Sequence, residues 1–177
     1  TIVLTSNSDE KVAIHRIDPI QFEVVRSALT QVAEEMAVAL RRSAYSTNVK
    51  TRQDFSCAFF DRDGRPISQA FTQPVHLGSF VELIPTSIET YGAENLNPGD
   101  MLVVNNPCGG GSHLNDVTVF GPVHHDGELV GYVASLAHHV DVGGGAPASI
   151  GPFQEIFQEG VIIPPVKLVK NGEMNED

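Results

Sequence analysis

The chain has 177 residues, 41% of them hydrophobic, which is enough for one domain with a hydrophobic core. Eleven basic residues against 22 acidic ones give a net charge of −11, which argues against binding to nucleic acid or to an anionic membrane surface. The sequence has no membrane-spanning apolar run, no signal-peptide pattern and only two cysteines, features that together predict a protein of the reducing cytoplasm.

Residues 1–17 are predicted to be a polar lead-in, followed by a long helix. Asp18 suits the N-cap, Pro19 the first helical position and Gln21 the reciprocal position of a capping box. Apolar residues then recur at steps of three and four over about seven turns, to near Ser46. They are Phe22, Val25, Leu29, Val32, Met36 and Leu40. This pattern predicts a core helix with one apolar face.

A buried hairpin is predicted next, with strands over Phe55–Phe60 and Pro66–Ala70. Asp54 stands at the entrance of the first strand, where a carboxylate requires a partner or a metal ion. The neighbouring Arg52 offers an ion pair instead, so the spacing leaves both interpretations open.

Residues 73–79 are predicted to form a loop that leads into a helix with a capping box at Ser79 and Glu82. His76 in this loop precedes a helix N-terminus, where a substrate oxygen could dock, although the pattern favours a packed loop histidine. Pro85 is expected to break or kink the helix into two short pieces. A short buried strand is predicted at Met101–Asn105.

The central hairpin of the chain is predicted over residues 117–123 and 128–137, joined by a type I′ turn at Asp126–Gly127. In that register residue 125 lies opposite residue 128. Asn115 is then opposite His138, and Asp116 is opposite Ala137.

A metal site is one interpretation of the end of this hairpin. His113 is a same-face diagonal neighbour of His138 in the expected register, and Asp116 can join them if the glycine-rich segment before it is a loop. Two imidazoles and one carboxylate suit zinc, manganese or iron. The alternative is a strand-end histidine pair with His113 in a surface loop, and the spacing alone does not decide.

The last part of the sequence is irregular. Residues 161–168 are apolar but contain Pro164 and Pro165, so we expect them to pack on the core without central strand pairing. Residues 169–177 are expected to be a truncated or flexible end. Glu159 lies four residues after Glu155, either on a solvated edge or as an acid–base group beside a metal. The predicted fold class is α+β, with one long helix packed on antiparallel β-hairpins and a metal site at the strand ends.

Seven motifs in a fixed order resemble the N-terminal part of the hydantoinase B family. Their positions are Asp18–Ile20, Arg52–Ala58 (RQDFSCA), Pro74–Ser79 (PVHLGS), Asn106–Pro107, Gly110–Asp116 (GGSHLND), His138–Gly144 (HHVDVGG) and Gln158–Pro165 (QEGVIIPP). The family includes the second half of 5-oxoprolinase, the N-methylhydantoinase and caprolactamase B-type subunits, and the alpha-type subunits of acetone and acetophenone carboxylases. The resemblance extends from about residue 18 to residue 167, which delimits residues 18–168 as the expected metal-binding domain.

The resemblance implies a zinc or manganese ion held by His113, Asp116 and His138, with Asp54 as a fourth ligand. It also implies a partner, an A-type subunit of actin-like fold, which binds ATP with magnesium and activates a hydantoin, oxoproline or lactam for ring opening by water. The alternative within the family is an ATP-dependent ketone carboxylase. His139 and Glu159 are candidates for proton transfer, and His76 for substrate contact.

Two departures from the family pattern bear on this interpretation. The family usually has Asp where this sequence has Asn106, and its subunits are typically much longer than this chain, so we expect the rest of its subunit as a second partner in a hetero-oligomer. Two further alternatives are a non-haem iron oxygenase with two histidines and one carboxylate, and a scaffold segment without activity.

Overall fold

This computed structural model describes residues 18–176, which form three α-helices and seven strands. The predicted polar lead-in, residues 1–17, lies outside the described part. The helices are α1 (Pro19–Ser43), α2 (Thr47–Lys50) and α3 (Pro74–Tyr91). The strands are β1 (Phe55–Phe60), β2 (Pro66–Gln69), β3 (Met101–Val104), β4 (Asp116–His125), β5 (Glu128–His138), β6 (Val166–Lys170) and β7 (Glu173–Met174).

All seven strands belong to one sheet, in the order β2-β1-β5-β4-β3-β6-β7, and every neighbouring pair is antiparallel. Strand β1 lies between β2 and β5, and all six of its residues are buried, as the apolar run predicted. Successive side chains point to opposite faces. Ala58 and Phe60 therefore pack with α3, whereas Phe55 and Cys57 pack with α1. The predicted α+β class with antiparallel hairpins is confirmed.

Helix α1 begins at the predicted cap, where the Asp18 carboxylate accepts a hydrogen bond from the Ile20 N–H. Its second half packs on β1 and β2 through buried Ala33 and Ala37. The prediction of a helix with its whole apolar face in the core is wrong, because Phe22 and Val25 in the first half are 40% and 57% exposed. None of the helices in residues 18–176 is long and apolar enough to cross a membrane.

Helix α3 is continuous, so the prediction of two short helices is wrong. It begins at Pro74, and His76 therefore lies in its first turn rather than in a loop. Pro85 has no N–H for the carbonyl of Val81, but Val81 is exposed and solvent can satisfy that carbonyl. Buried side chains on both sides of Pro85, including Phe80 and Ile88, hold the two halves against the sheet.

Residues Val166–Lys170 form an interior strand, which contradicts the expectation that this segment avoids the sheet. Strand β6 pairs with β3 on one side and β7 on the other. Pro164 and Pro165 precede the strand and so remove no hydrogen bond from its ladder. The pairing continues to Met174, within the stretch expected to be a flexible end.

Candidate metal centre

The register of the central hairpin differs by one residue from the prediction. The turn at Asp126–Gly127 has positive φ at both residues and pairs His125 with Glu128, as expected. A bulge then leaves Val130 without a partner, so that Val123 pairs with Gly131 and Asp116 pairs with His138. Asp116 therefore belongs to the strand, directly opposite His138 and on the same face.

Three side chains meet at this end of the sheet. His113, Asp116 and His138 each offer a ligand atom, and these atoms lie within 4.8 Å of one another. The two imidazole rings are stacked, with centroids 5.5 Å apart and planes 9° from parallel. Nδ1 of His138 lies 2.7 Å from Oδ1 of Asp116. His113 reaches the cluster from the turn before β4, where its carbonyl accepts a hydrogen bond from the Asp116 N–H.

The glycine-rich segment places His113 by allowing the chain to approach α3 closely. Gly110 has φ +97°, and a Cβ there would lie 2.7 Å from the Leu83 nitrogen, a contact that no side chain tolerates. The hydroxyl of Ser112 then donates a hydrogen bond to Asp116. Gly110 thus has a packing reason, and the loop that contains it delivers both His113 and a partner for Asp116.

The donor atoms fit a divalent cation. Nδ1 of His113 is buried and has no hydrogen-bond partner among the described residues, although a buried imidazole nitrogen normally has one. Asp116, the carboxylate of the set, is 6% exposed, and its side-chain partners are the imidazole of His138 and the hydroxyl of Ser112. A set of two imidazoles and one carboxylate is a common ligand set for zinc, manganese and iron.

Asp116 and His138 stabilise each other's charged forms. Burial by itself raises the pKa of the Asp116 carboxyl, but hydrogen bonds from His138 and Ser112 outweigh it and bring that pKa below its ordinary value. The hydrogen bond with Asp116 raises the pKa of His138, against the opposing effect of burial. A proton thus lies between Nδ1 of His138 and Oδ1 of Asp116, and a metal ion bound by both residues could replace that proton.

Two predicted site residues, Asp54 and His76, lie next to this cluster. Oδ1 of Asp54 is 3.5 Å from Nε2 of His76, and Oδ1 of Asp116 is 3.9 Å from the same nitrogen. Among residues 18–176, no ion pair joins Asp54 to Arg52, which was the alternative partner. His76 is 3% exposed and its nitrogens face protein atoms, and the substrate contact predicted for it stays a prediction.

Glu159 and His139 occupy different positions relative to the cluster. Oε2 of Glu159 is 3.8 Å from Nε2 of His113, so this carboxylate lies beside the candidate ligands. The His139 side chain is exposed, and only its backbone is anchored, by hydrogen bonds with Asn115 in both directions. The structure thus brings the Glu159 carboxylate beside His113, whereas among residues 18–176 the His139 ring makes no hydrogen bond to the cluster.

The sequence interpretation missed three serines that hold the site together, Ser56, Ser112 and Ser149. Ser112 bonds Asp116, and Ser56 bonds His76. Buried Asn115 accepts a hydrogen bond from Ser149, whose hydroxyl also lies 2.7 Å from the carbonyl oxygen of Glu159. Ser56 follows Asp54 by two residues, so strand alternation could have placed it on the same face. No local pattern could have identified Ser149.

Comparisons with known proteins agree with this architecture. An uncharacterized protein of Methanocaldococcus jannaschii is 45% identical over 164 residues, which are 91% of this chain and 29% of that protein. The 5-oxoprolinase 1 of Arabidopsis thaliana is 43% identical over 173 residues, 97% of this chain and 14% of the relative. The caprolactamase subunit beta of Pseudomonas jessenii is 36% identical over 165 residues, 93% of this chain and 28% of that subunit.

Two solved structures share the fold. The ATP-dependent caprolactamase of Pseudomonas jessenii superposes with a TM-score of 0.76 at 34% identity, over 92% of this chain and 28% of that chain. A nucleotide-free acetone carboxylase superposes with a TM-score of 0.81 at 23% identity, a likeness of fold alone, over 89% of this chain and 21% of that chain.

The chain thus spans less than a third of the length of the relatives that it matches. The family model described as hydantoinase B/oxoprolinase matches residues 18–177, nearly the whole sequence. The family that the ordered motifs suggested is therefore confirmed, and this chain belongs to the hydantoinase B/oxoprolinase family.

Proposed function

We propose that this chain carries the divalent-metal site of an ATP-dependent enzyme that opens a cyclic amide, such as a hydantoin, an oxoproline or a lactam. The observation that carries the proposal is the cluster of His113, Asp116 and His138. The chain that contains it belongs to a family whose named members include 5-oxoprolinases and a caprolactamase. Asp54 is the proposed fourth ligand, because its carboxylate lies 3.5 Å from the same His76 nitrogen that is 3.9 Å from the carboxylate of Asp116.

The proposed ion is zinc or manganese. When bound, such an ion supplies Lewis-acid activation of water. The chain's own residues then have separate tasks. Asp116 bridges the two strands and fixes the ligand set, and Glu159, which is 34% exposed beside His113, is placed to accept or deliver a proton from the solvent side. His139 remains the second candidate for proton transfer.

The nucleotide is proposed to bind to a partner subunit of actin-like fold, in a hetero-oligomer that also contains the rest of this chain's subunit. This sequence has no phosphate-binding loop with its lysine, and its net charge of −11 repels polyphosphate. Both cysteines, Cys57 and Cys108, are free, which supports a reducing cytoplasmic setting. Specific binding of ATP to the isolated chain, measured by calorimetry, would contradict this division.

The test uses the complete complex purified without oxygen. Metal analysis should find one tightly bound zinc or manganese ion in the subunit that contains this chain. ATP-dependent turnover is then measured with hydantoin, 5-oxoproline and lactam substrates, in the absence and presence of bicarbonate. Ring opening without bicarbonate supports the proposal. Turnover of a ketone only with bicarbonate would assign the site to the carboxylase alternative, and a complex without bound metal would contradict both.

A further inference from the structure

His76 occupies an unusual position for a residue with no assigned task. It lies in the first turn of α3 with 3% of its surface exposed, at the end of the sheet where the candidate ligands meet. Its Nε2 faces two carboxylates at once, 3.5 Å from Asp54 and 3.9 Å from Asp116. These carboxylates come from different segments, one before β1 and one at the start of β4, and β5 separates the two strands.

The other ring nitrogen is anchored by hydroxyl groups. Nδ1 lies 3.2 Å from Oγ of Ser56, and the Ser56 hydroxyl accepts a hydrogen bond from Thr72 at 3.1 Å. The single proton of Ser56 can go to Nδ1 or to the carbonyl oxygen of Gln73, which is also 3.2 Å away. When Ser56 donates to Nδ1, the neutral ring keeps its proton on Nε2. Two facing carboxylates favour this arrangement, because they attract an N–H and repel a lone pair.

We infer that His76 is a positioning residue of the metal centre. Its Nε2–H faces the carboxylates of both Asp54 and Asp116, at 3.5 Å and 3.9 Å, and orients them by electrostatic attraction. Ser56 anchors the ring at Nδ1, and Thr72 in turn donates to Ser56. Carboxylates that ligate a metal depend on such partners for their orientation, and loss of a partner typically weakens metal binding 10- to 100-fold. This role rests on the proposed metal centre and assigns to His76 a task other than substrate contact.

The experiment titrates the metal-depleted complex with Co(II) in the absence of nucleotide and records the visible absorption of the bound ion. His76→Leu keeps an apolar side chain of similar size but has no donor, and we expect it to bind Co(II) about 10- to 100-fold more weakly with a changed spectrum. His76→Gln can place an amide N–H near the position of Nε2, and we expect it to stay within a few-fold of wild type. Thr90→Ala, an exposed change in the same helix, is the matched control.

Each result decides for or against this role. Wild-type affinity and an unchanged Co(II) spectrum in His76→Leu, with only a lower melting temperature, would overturn it, as would equal losses in His76→Leu and His76→Gln. Should His76→Leu fail to fold, Ser56→Ala replaces it, with a several-fold loss expected and an unchanged spectrum and affinity contradicting the inference. A wild-type complex that takes up no Co(II) would refute the metal centre itself, so the two failures are distinguishable.

Discussion

Two buried aspartates at strand starts, Asp100 and Asp116, use their charge in different ways. Asp100 precedes β3 and accepts hydrogen bonds from the Asn97 and Asn171 backbone N–H groups, while Lys167 Nζ lies 2.7 Å from its carboxylate. Asp116 opens β4, and its partners are the side chains of His138 and Ser112. Both carboxylates are almost fully buried, at 2% and 6% exposure.

The difference lies in which partners can be exchanged. The donors of Asp100 are two backbone groups and an ammonium group, and none of these binds metals in this setting, so the charge serves to join the start of β3 to β6 and the turn after it. The donors of Asp116 are a histidine and a hydroxyl on a glycine-rich loop, and the histidine can replace its proton with a cation. A buried carboxylate therefore indicates a metal site only when its neighbours are themselves ligands.

The largest effect should come from the candidate ligands. His113→Ala, Asp116→Ala and His138→Ala should each lower metal affinity by at least about 1,000-fold while leaving secondary structure unchanged, because a three-ligand site does not stay tight after losing one. Metal content after gel filtration and circular dichroism measure the two properties. Stoichiometric metal in all three variants would refute the assignment, and Asp100→Asn serves as a buried-carboxylate control that should retain its metal.

Asp100→Asn should reduce stability instead. Removing one partner of a buried ion pair leaves Lys167 uncompensated, and the free energy of unfolding should fall by about 3 kcal/mol at neutral pH. Urea denaturation of the subunit measures the change. A loss of metal affinity without a loss of stability would contradict the contrast between the two aspartates.

Acid should destabilise the fold by protonating the carboxylate of Asp100. Burial raises the pKa of Asp100, but the bonds from Lys167 and the two backbone groups outweigh it and lower that pKa from 3.8 to about 2. Because the folded pKa lies below the unfolded one, the carboxylate stabilises the fold above about pH 4, by about 2 kcal/mol, and this contribution is lost as pH falls towards 2. Urea denaturation at a series of values between about pH 5 and about pH 2 measures the free energy of unfolding. This free energy should fall with pH in wild type and fall less steeply in Asp100→Asn.

The smallest effect should come from Asp54→Asn. This carboxylate, the proposed fourth ligand, is not among the three residues whose ligand atoms meet, so we expect metal affinity to fall about 10-fold with secondary structure preserved. Isothermal titration of the metal-depleted complex gives the affinity. A variant that keeps its metal affinity and only melts earlier would show that Asp54 is a structural partner of His76 rather than a ligand.

Local sequence signals predicted most of the elements because those signals are chemical and short-ranged. The Asp18–Pro19 start of α1, the apolar run of β1 and the Asp126–Gly127 turn all formed as expected. The failures concern long-range packing. Nothing near Pro85 indicates that both halves of α3 have the sheet to hold them together, and nothing in residues 166–170 indicates that β3 and β7 both lie beside them.

The same distinction explains the candidate site. Spacing in one hairpin pointed to the end of two paired strands where His113, Asp116 and His138 all lie, but it left the metal interpretation open, and the family resemblance supplied the ligand set. It could not place His76, which comes from a helix on the face of the sheet, or Ser149, whose bond to Asn115 spans 34 positions. Residues that form the cluster were thus predictable, and residues that support it from other elements were not.

The bulge at Val130 shifts the register of the central hairpin by one residue. Counted from the turn, the register would place Ala137 opposite Asp116, and the one unpaired residue exchanges it for His138. Gly131, the next residue, has no room for a Cβ because the carbonyl oxygen of Phe60 would be only 2.1 Å away. The strand register is therefore fixed at that point. The length of chain between Asp126 and His138 is therefore constrained, and the positive φ at Asp126 and Gly127 also limits the residue types at the turn.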